Sequence, residues 1–356
     1  MYRKVAIIGT VGVPAKYGGF ETLVENMIGL NASQDVEYTV FCSGKSYRER
    51  LVSYKGAHLD YISLKANGVQ STLYDIVSMM KTSNQYDVAL VLGVSGCIYL
   101  PVFRLFFRNK LIVNIDGLEH RRGKWGRFAK WFLRKSEAMA VKYADVVIAD
   151  NKGILDYVKE TYNRDAVLIA YGGDHVERSV SESQQEKVFQ EYGIGKDNYA
   201  ISVCRIEPEN NCHVILEAFS KSDQKLIFIG NWEKSQYGRD LKEKYSKYSN
   251  INMHGPEYNL DTLYILRSNS RIYIHGHSAG GTNPSLVEAM FFGKPILAYY
   301  CIYNRATTDN RAYYFRGCDD LLSFLSKDGM DGSPMREIAE KQYTWKQIAK
   351  QYESLY

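Results

Sequence analysis

The chain has 356 residues, 45% of them apolar and 24% charged, a balance that suits a folded protein with a sizeable core and excludes a disordered or fibrous one. Its formal charge of +5 is too small to indicate nucleic acid, and no apolar run approaches the ~20 residues of a membrane-crossing helix. Six cysteines without a C-x-x-C pair, and a first strand that begins at once, lead to the expectation of reduced thiols, a cytoplasmic protein and no leader.

The first apolar run, Val5 to Ile8, reads as a buried strand, and Glu21 to Met27 reads as the opening of a helix. Between them lies a loop carrying Gly9, Gly12, Pro14, Gly18 and Gly19. A Gly-rich turn from strand to helix lets backbone N–H groups approach a phosphate, and the helix dipole favours the negative charge. The spacing is not G-x-G-x-x-G, and the next strand-like run ends Cys42-Ser43-Gly44-Lys45, without the acid that would hold an NAD ribose. A nicotinamide-dependent oxidoreductase is therefore a poor fit.

Strand-like runs recur through the first half (KVAIIG, YTVFC, DVALVLG, LIVNID, DVVIAD, AVLIAY), with helical patterns such as ETLVENMIGL and WGRFAKWFLRKSEAMAVKYA between several of them. This alternation predicts a parallel sheet flanked by helices. Beyond the fourth run, Asp116 and Glu119 stand three apart beside basic residues. Either carboxylate can orient or deprotonate a substrate hydroxyl. The alternative is structural ion pairing with Arg121, Arg122 and Lys124. Residues 104–142 hold eleven Lys or Arg against three acids, a local net of +8, interleaved with Trp125, Phe128, Trp131 and Phe132. That pattern fits a helix lying on an anionic membrane surface, or equally an amphipathic helix packing its aromatics into the core. Nucleic acid is not expected, since one patch without a recognised module is a weak signal.

Around Tyr171 the stretch YGGDHVERSVSESQQEK is polar and reads as a connection. A second series of strands follows (YAISVCR, KLIFIG, INMHG, RIYIHG, PILAYY). The sequence thus predicts two doubly wound α/β domains, 1–172 and 173–342, with ligands outside the carboxyl ends of the strands and the cleft between domains as the natural site. In the second domain, HGHSAGGTNPSLVEAMFFGKPILAY carries another Gly-rich loop from strand to helix. Thr282 or Asn283 is a plausible N-cap and Pro284 a plausible first helical residue, so backbone donors around Gly281, Thr282 and Asn283 can meet a phosphate. Glu288, one turn in, can accept from ribose hydroxyls or serve as a capping acid. No D-x-D run is present, Asp319-Asp320 suits a turn or cap, and His275-x-His277 lacks a companion cluster, so no metal is expected.

The segments GGFE, RIEPENN (Arg205 to Asn211), SLVEAMFFGKPI and YTWKQIAKQYESL resemble glycosyltransferase family 4 across nearly the whole chain. More narrowly, GTVGVPAKYGGFET, NIDGLEHRRGKWG, RIEPENN and GHSAGGTNPSLVEAM resemble the bacterial branch that includes rhamnosyltransferases of capsule and cell-wall polysaccharide assembly. The resemblance implies the GT-B fold, two Rossmann-like domains facing across a cleft, with a C-terminal helix near 343–356 packed back on the first. It implies a retaining, metal-independent transferase without a resident cofactor, using a nucleotide sugar as donor, dTDP-rhamnose being the expected one. A lipid-linked saccharide is the expected acceptor, reached from the inner face of the plasma membrane.

Carried over by position, the resemblance puts Gly18 and Gly19 against the donor diphosphate and sugar, with Glu21 behind on the acceptor side. It assigns Arg205 to the diphosphate leaving group, Gly281, Thr282 and Asn283 to the distal phosphate, Glu288 to the ribose and Asp116 to the donor sugar. The base falls near His254 to Tyr258. Two positions depart from the family pattern. Gly280 stands where a sugar-contacting glutamate is common, and Asn210 where a lysine is usual. These departures keep open a non-catalytic nucleotide-sugar-binding protein as the alternative.

Overall fold

A computed structural model describes the chain apart from Met1, Tyr17, Ser33, Gln34, Lys124 and the side chain of Val69. Lys124, offered above as an ion-pair partner, therefore lies outside the described residues. The chain divides into two compact units, Met1–Tyr171 with Trp345–Tyr356, and Gly172–Thr344.

Among the described residues the first unit has strands β1 (Arg3–Ile8), β2 (Val36–Ser43), β3 (Ser53–Tyr54), β4 (Ala57–Ile62), β5 (Val88–Leu92), β6 (Lys110–Asn114), β7 (Val146–Ala149) and β8 (Val167–Leu168). They form one sheet in the order β3-β4-β2-β1-β5-β6-β7-β8, parallel throughout except for β3 against β4. Val5 to Ile8 are wholly buried, as expected of a central strand covered by helices on both faces. The sequence reading misses β3 and β4. They are joined at Lys55-Gly56, both with positive φ, a tight hairpin turn without the usual Asn or Asp.

The last helix, Trp345–Glu353, belongs to this first unit. Trp345, Ile348, Ala349 and Tyr352 share a core with Leu23, Val24 and Met27 of the helix Gly19–Leu30. Polar contacts fix its register: Asn114 Nδ2 donates to the Tyr352 hydroxyl at 2.7 Å, and Glu353 accepts the Ala32 N–H at 2.8 Å. Burying each of the large ones, Trp345, Ile348 and Tyr352, stabilises by about 1.5–3 kcal/mol, enough to hold a short helix that would not form alone.

The second unit carries β9 (Ala200–Val203), β10 (Leu226–Ile229), β11 (Ile251–His254), β12 (Ile272–His275), β13 (Ile296–Tyr299) and β14 (Tyr313–Phe315). They run parallel in the order β11-β10-β9-β12-β13-β14. The stretch read as a connection contains a helix, Glu182–Tyr192, opened by a capping box between Ser181 and Gln184. Its buried side chains are Val188 and Tyr192, too sparse an apolar stripe to register as periodic. Among the described residues no helix is long and apolar enough to cross a membrane.

Candidate functional site

In the second unit the strand order reverses between β9 and β12, so a crevice opens beyond their carboxyl ends. β9 runs out into Cys204 and Arg205, and β12 runs out into the loop Gly276 to Asn283. Arg205, Gly281, Thr282 and Asn283 are thereby brought to the same end of one sheet. The Arg205 side chain is 36% exposed and sits loosely, 3.7 Å from the Glu207 carboxylate, so its charge can meet an anion.

Thr282 is buried, and Asn283 is the N-cap of the helix Pro284–Met290, accepting the Ser285 N–H at 3.0 Å. That bond removes one of the donors which the sequence left for a ligand. Gly280 has a φ of +88°, a conformation that a side chain strains. A glutamate at this position would therefore strain the backbone.

Glu288 faces inward from the same helix. Its Oε2 lies 2.8 Å from Arg267, itself 4% exposed, and its Oε1 lies 3.5 Å from His175 Nε2. Burial alone would raise the Glu288 carboxyl, but the charge of Arg267 and the contact with His175 outweigh it and hold the group below its usual range. Glu288 is thus an ionised partner of a buried arginine, and a ribose would have to use the lone pairs left over.

In the first unit the order reverses between β1 and β5. Gly9 follows β1 and packs on β5, where a Cβ would lie 2.1 Å from the Leu92 carbonyl oxygen. The two adjacent glycines differ in kind. Gly18 is the N-cap at φ +134°, and a Cβ there would meet Glu21 Oε2 at 1.8 Å. Gly19 is the first helical residue. Glu21 folds back so that its Oε1 accepts the Val11 N–H at 2.7 Å and the Thr10 hydroxyl at 3.0 Å. One turn on, Glu25 accepts the Ala15 N–H at 2.5 Å, and from the other side the buried Tyr74 hydroxyl donates to the Thr10 and Phe41 carbonyls. Glu21, expected on the acceptor side, braces its own loop.

Asp116 follows β6 with a φ of 58°, uncommon for a residue with a side chain, and its N–H donates to Asn114 Oδ1 at 2.9 Å. Its carboxylate, with those of Asp150 and Glu21, acts on the buried Tyr171 hydroxyl; burial first, and these charges next, push that phenol far up. Asp150, at the end of β7 and 2% exposed, was not singled out from sequence; the signal was its place at the close of the run DVVIAD. Glu119 resolves differently. Its Oε1 accepts the Trp125 indole N–H at 2.9 Å and its Oε2 pairs with Arg122 Nε at 2.8 Å. It clamps the turn that precedes the basic helix, which is the ion-pair alternative.

That helix, Arg127–Tyr143, buries Leu133, Ser136, Glu137, Ala140 and Val141. Its aromatics divide: Phe128 and Trp131 are 78% and 56% exposed and stack at 5.9 Å, whereas Phe132 is half-buried. Glu137, the third acid of residues 104–142 after Asp116 and Glu119, is buried, accepting from the Tyr157 and Tyr162 hydroxyls and facing His120 Nδ1 at 3.0 Å. Among the described residues no three His, Cys, Asp or Glu groups cluster as metal ligands.

Comparison with solved structures identifies the fold as GT-B, with two parallel-sheet α/β units. The sucrose-phosphate synthase of Thermosynechococcus elongatus superimposes with a TM-score of 0.80 at 14% identity, over 99% of this chain and 98% of its own. Anabaena HepE in complex with UDP-glucose gives 0.76 at 14% identity, over 100% and 99%. A putative UDP-N-acetylglucosamine 2-epimerase from Listeria monocytogenes gives 0.62 at 12%, over 99% and 95%, so the fold alone does not fix the reaction. Residues 184–308 match the family described as Glycosyl transferases group 1. That segment includes Arg205, Gly281 to Asn283 and Glu288. Residues 2–174 match the family described as Domain of unknown function (DUF1972). A search of the curated proteins found no match.

The asymmetry of the glycine pair gives a direct prediction. Gly18→Ala combines positive φ with a collision and is expected to cost about 1–3 kcal/mol, read as a lowered Tm. Gly19→Ala places alanine in a helix and is expected to leave Tm within error of the parent. Equal effects of the two substitutions would contradict this account of the loop.

Proposed function

We propose that the chain is a retaining glycosyltransferase whose second unit binds a nucleotide-sugar donor at the carboxyl ends of β9 and β12. The observation that supports this reading is the loosely held Arg205 at the same end of the sheet as the Gly281–Asn283 loop, within the segment matched to the transferase family. HepE, a structural neighbour, has been solved with UDP-glucose, which supports a nucleoside diphosphate sugar as the donor class. The sequence resemblance favours dTDP-rhamnose, and a 6-deoxy sugar suits a loop with Gly280 where a glutamate is common.

The chemistry needs no resident cofactor in this proposal. An acceptor hydroxyl oxygen bonds to the anomeric carbon as the bond to the β-phosphate oxygen breaks, and the nucleoside diphosphate departs with the electron pair. Arg205 and backbone N–H groups of the Gly281–Asn283 loop stabilise that growing charge. The departing phosphate oxygen takes the acceptor proton on the same face, so configuration is retained. In the first unit we assign Asp116 to orienting the acceptor hydroxyl, and we leave Glu119 to its clamp.

The acceptor in this reading is a lipid-linked saccharide of a bacterial surface polysaccharide. Exposed Phe128 and Trp131, with Arg127, Arg134 and Lys135 exposed beside them, suit peripheral contact with an anionic membrane.

Calorimetric titration with dTDP, UDP, GDP and NAD tests the donor assignment. One nucleoside diphosphate should bind without added metal, and Arg205→Ala should weaken it roughly 10- to 100-fold, the size of lost charge-assisted hydrogen bonds, with Tm unchanged. Binding of NAD alone would sink the proposal. For the membrane, flotation with vesicles containing phosphatidylglycerol should carry the parent protein. The double variant Phe128→Ser, Trp131→Ser should remain below, and equal flotation of both would remove this face from the account.

A further inference from the structure

The loops that leave β9 and β12 are stitched together by asparagine side chains. Asn210, 3% exposed, donates from Nδ2 to the Arg205 carbonyl at 2.7 Å, and its Oδ1 lies 2.7 Å from His277 Nδ1. Asn211 donates to the Gly276 carbonyl at 2.8 Å, while the Ser278 N–H and hydroxyl both donate to the Glu209 carbonyl at 2.9 Å. Asn304, 1% exposed, ties in the end of β13 by donating to the His277 and Tyr299 carbonyls, each at 2.8 Å. The two backbones touch: a Cβ on Gly276 would lie 2.1 Å from the Asn210 carbonyl oxygen.

This network fixes a tautomer. The Arg205 carbonyl can only accept, so the Asn210 amide nitrogen must face it and the amide oxygen must face His277. That oxygen accepts, so Nδ1 of His277 must carry the proton, and in the neutral ring the lone pair resides on Nε2.

We infer that Asn210 is a positioning residue for donor binding: through His277 and the Arg205 carbonyl it holds the Arg205 loop in register with the loop that carries Thr282 and Asn283. Asn210 acts through hydrogen bonds and contributes no charge to the ligand. Its two bonds point to backbone and imidazole, and its burial leaves it no path to an anion. The ligand-binding part of this inference rests on the donor site proposed above.

Asn210→Lys separates the two roles, because it adds a cation near Arg205 while removing the acceptor for His277. Electrostatics alone predicts tighter binding of dTDP and UDP; the latch predicts binding weaker by roughly tenfold, the worth of about one buried hydrogen bond. Asn210→Asp, nearly isosteric, keeps the acceptor for Nδ1–H but sets two acceptors against each other at Arg205. It should retain the tautomer and still bind more weakly.

Calorimetry with dTDP and UDP reads affinity, and long-range 1H–15N spectra of 15N-histidine protein read the tautomer, with His277 assigned by His277→Gln. The expected result is an Nδ1–H tautomer in the parent, kept in Asn210→Asp and lost in Asn210→Lys, with both variants weakened. Undiminished or tighter binding by Asn210→Lys, or an Nε2–H tautomer in the parent, would overturn the inference. If the parent binds neither nucleotide, the donor reading itself fails and the spectra alone decide the latch.

Discussion

Where the order of a parallel sheet reverses, two neighbouring strands send their connections to opposite sides, and the gap beyond their carboxyl ends is left open. Each unit has one such gap, at β1 and β5 and at β9 and β12. Loops at a gap cannot use the sheet ladder to satisfy their backbone groups, yet those groups cannot remain unpaired where they are buried. Side chains from neighbouring elements take over that work. Glu21 and Glu25 hold the loop of the first gap from the helix that follows it. Asn210, Asn211 and Asn304 hold the loops of the second.

Charge is distributed by the same logic. Arg267 is buried and needs Glu288 at 2.8 Å, since removing one partner of a dry pair strands the other. Arg205 is more than a third exposed and only loosely tied, so its interaction energy remains available to a ligand. Glu119 and Glu137 behave like Arg267, each saturated by partners of its own unit. Burial and partners therefore separate the charges that build the fold from those placed to act.

Much of the fold was legible because parallel strands are written as continuous apolar runs and appear at their observed places. β3, β4 and β14 were not: β3 and β14 are two and three residues long, β4 mixes polar with apolar side chains, and the Lys55-Gly56 turn lacks the usual Asn or Asp. The helix Glu182–Tyr192 was hidden by its polar surface. At the site, sequence named Arg205, Asn283 and Glu288 but could not weigh them. Whether a glutamate is free or spent depends on residues that no local pattern links to it, as with Glu288, which meets both Arg267 and His175. Asn210 read as a lost charge and is a hydrogen-bonding latch. The difference lies in His277, which no local pattern links to it.

The central claim is that a nucleoside diphosphate is held at the carboxyl ends of β9 and β12. Hydrogen–deuterium exchange with mass-spectrometric readout, with and without saturating dTDP or UDP, tests it on the whole chain. The account predicts slowed exchange in peptides covering 204–211 and 276–288. Protection confined to the loop 9–19, or spread over neither region despite measurable binding, would contradict it.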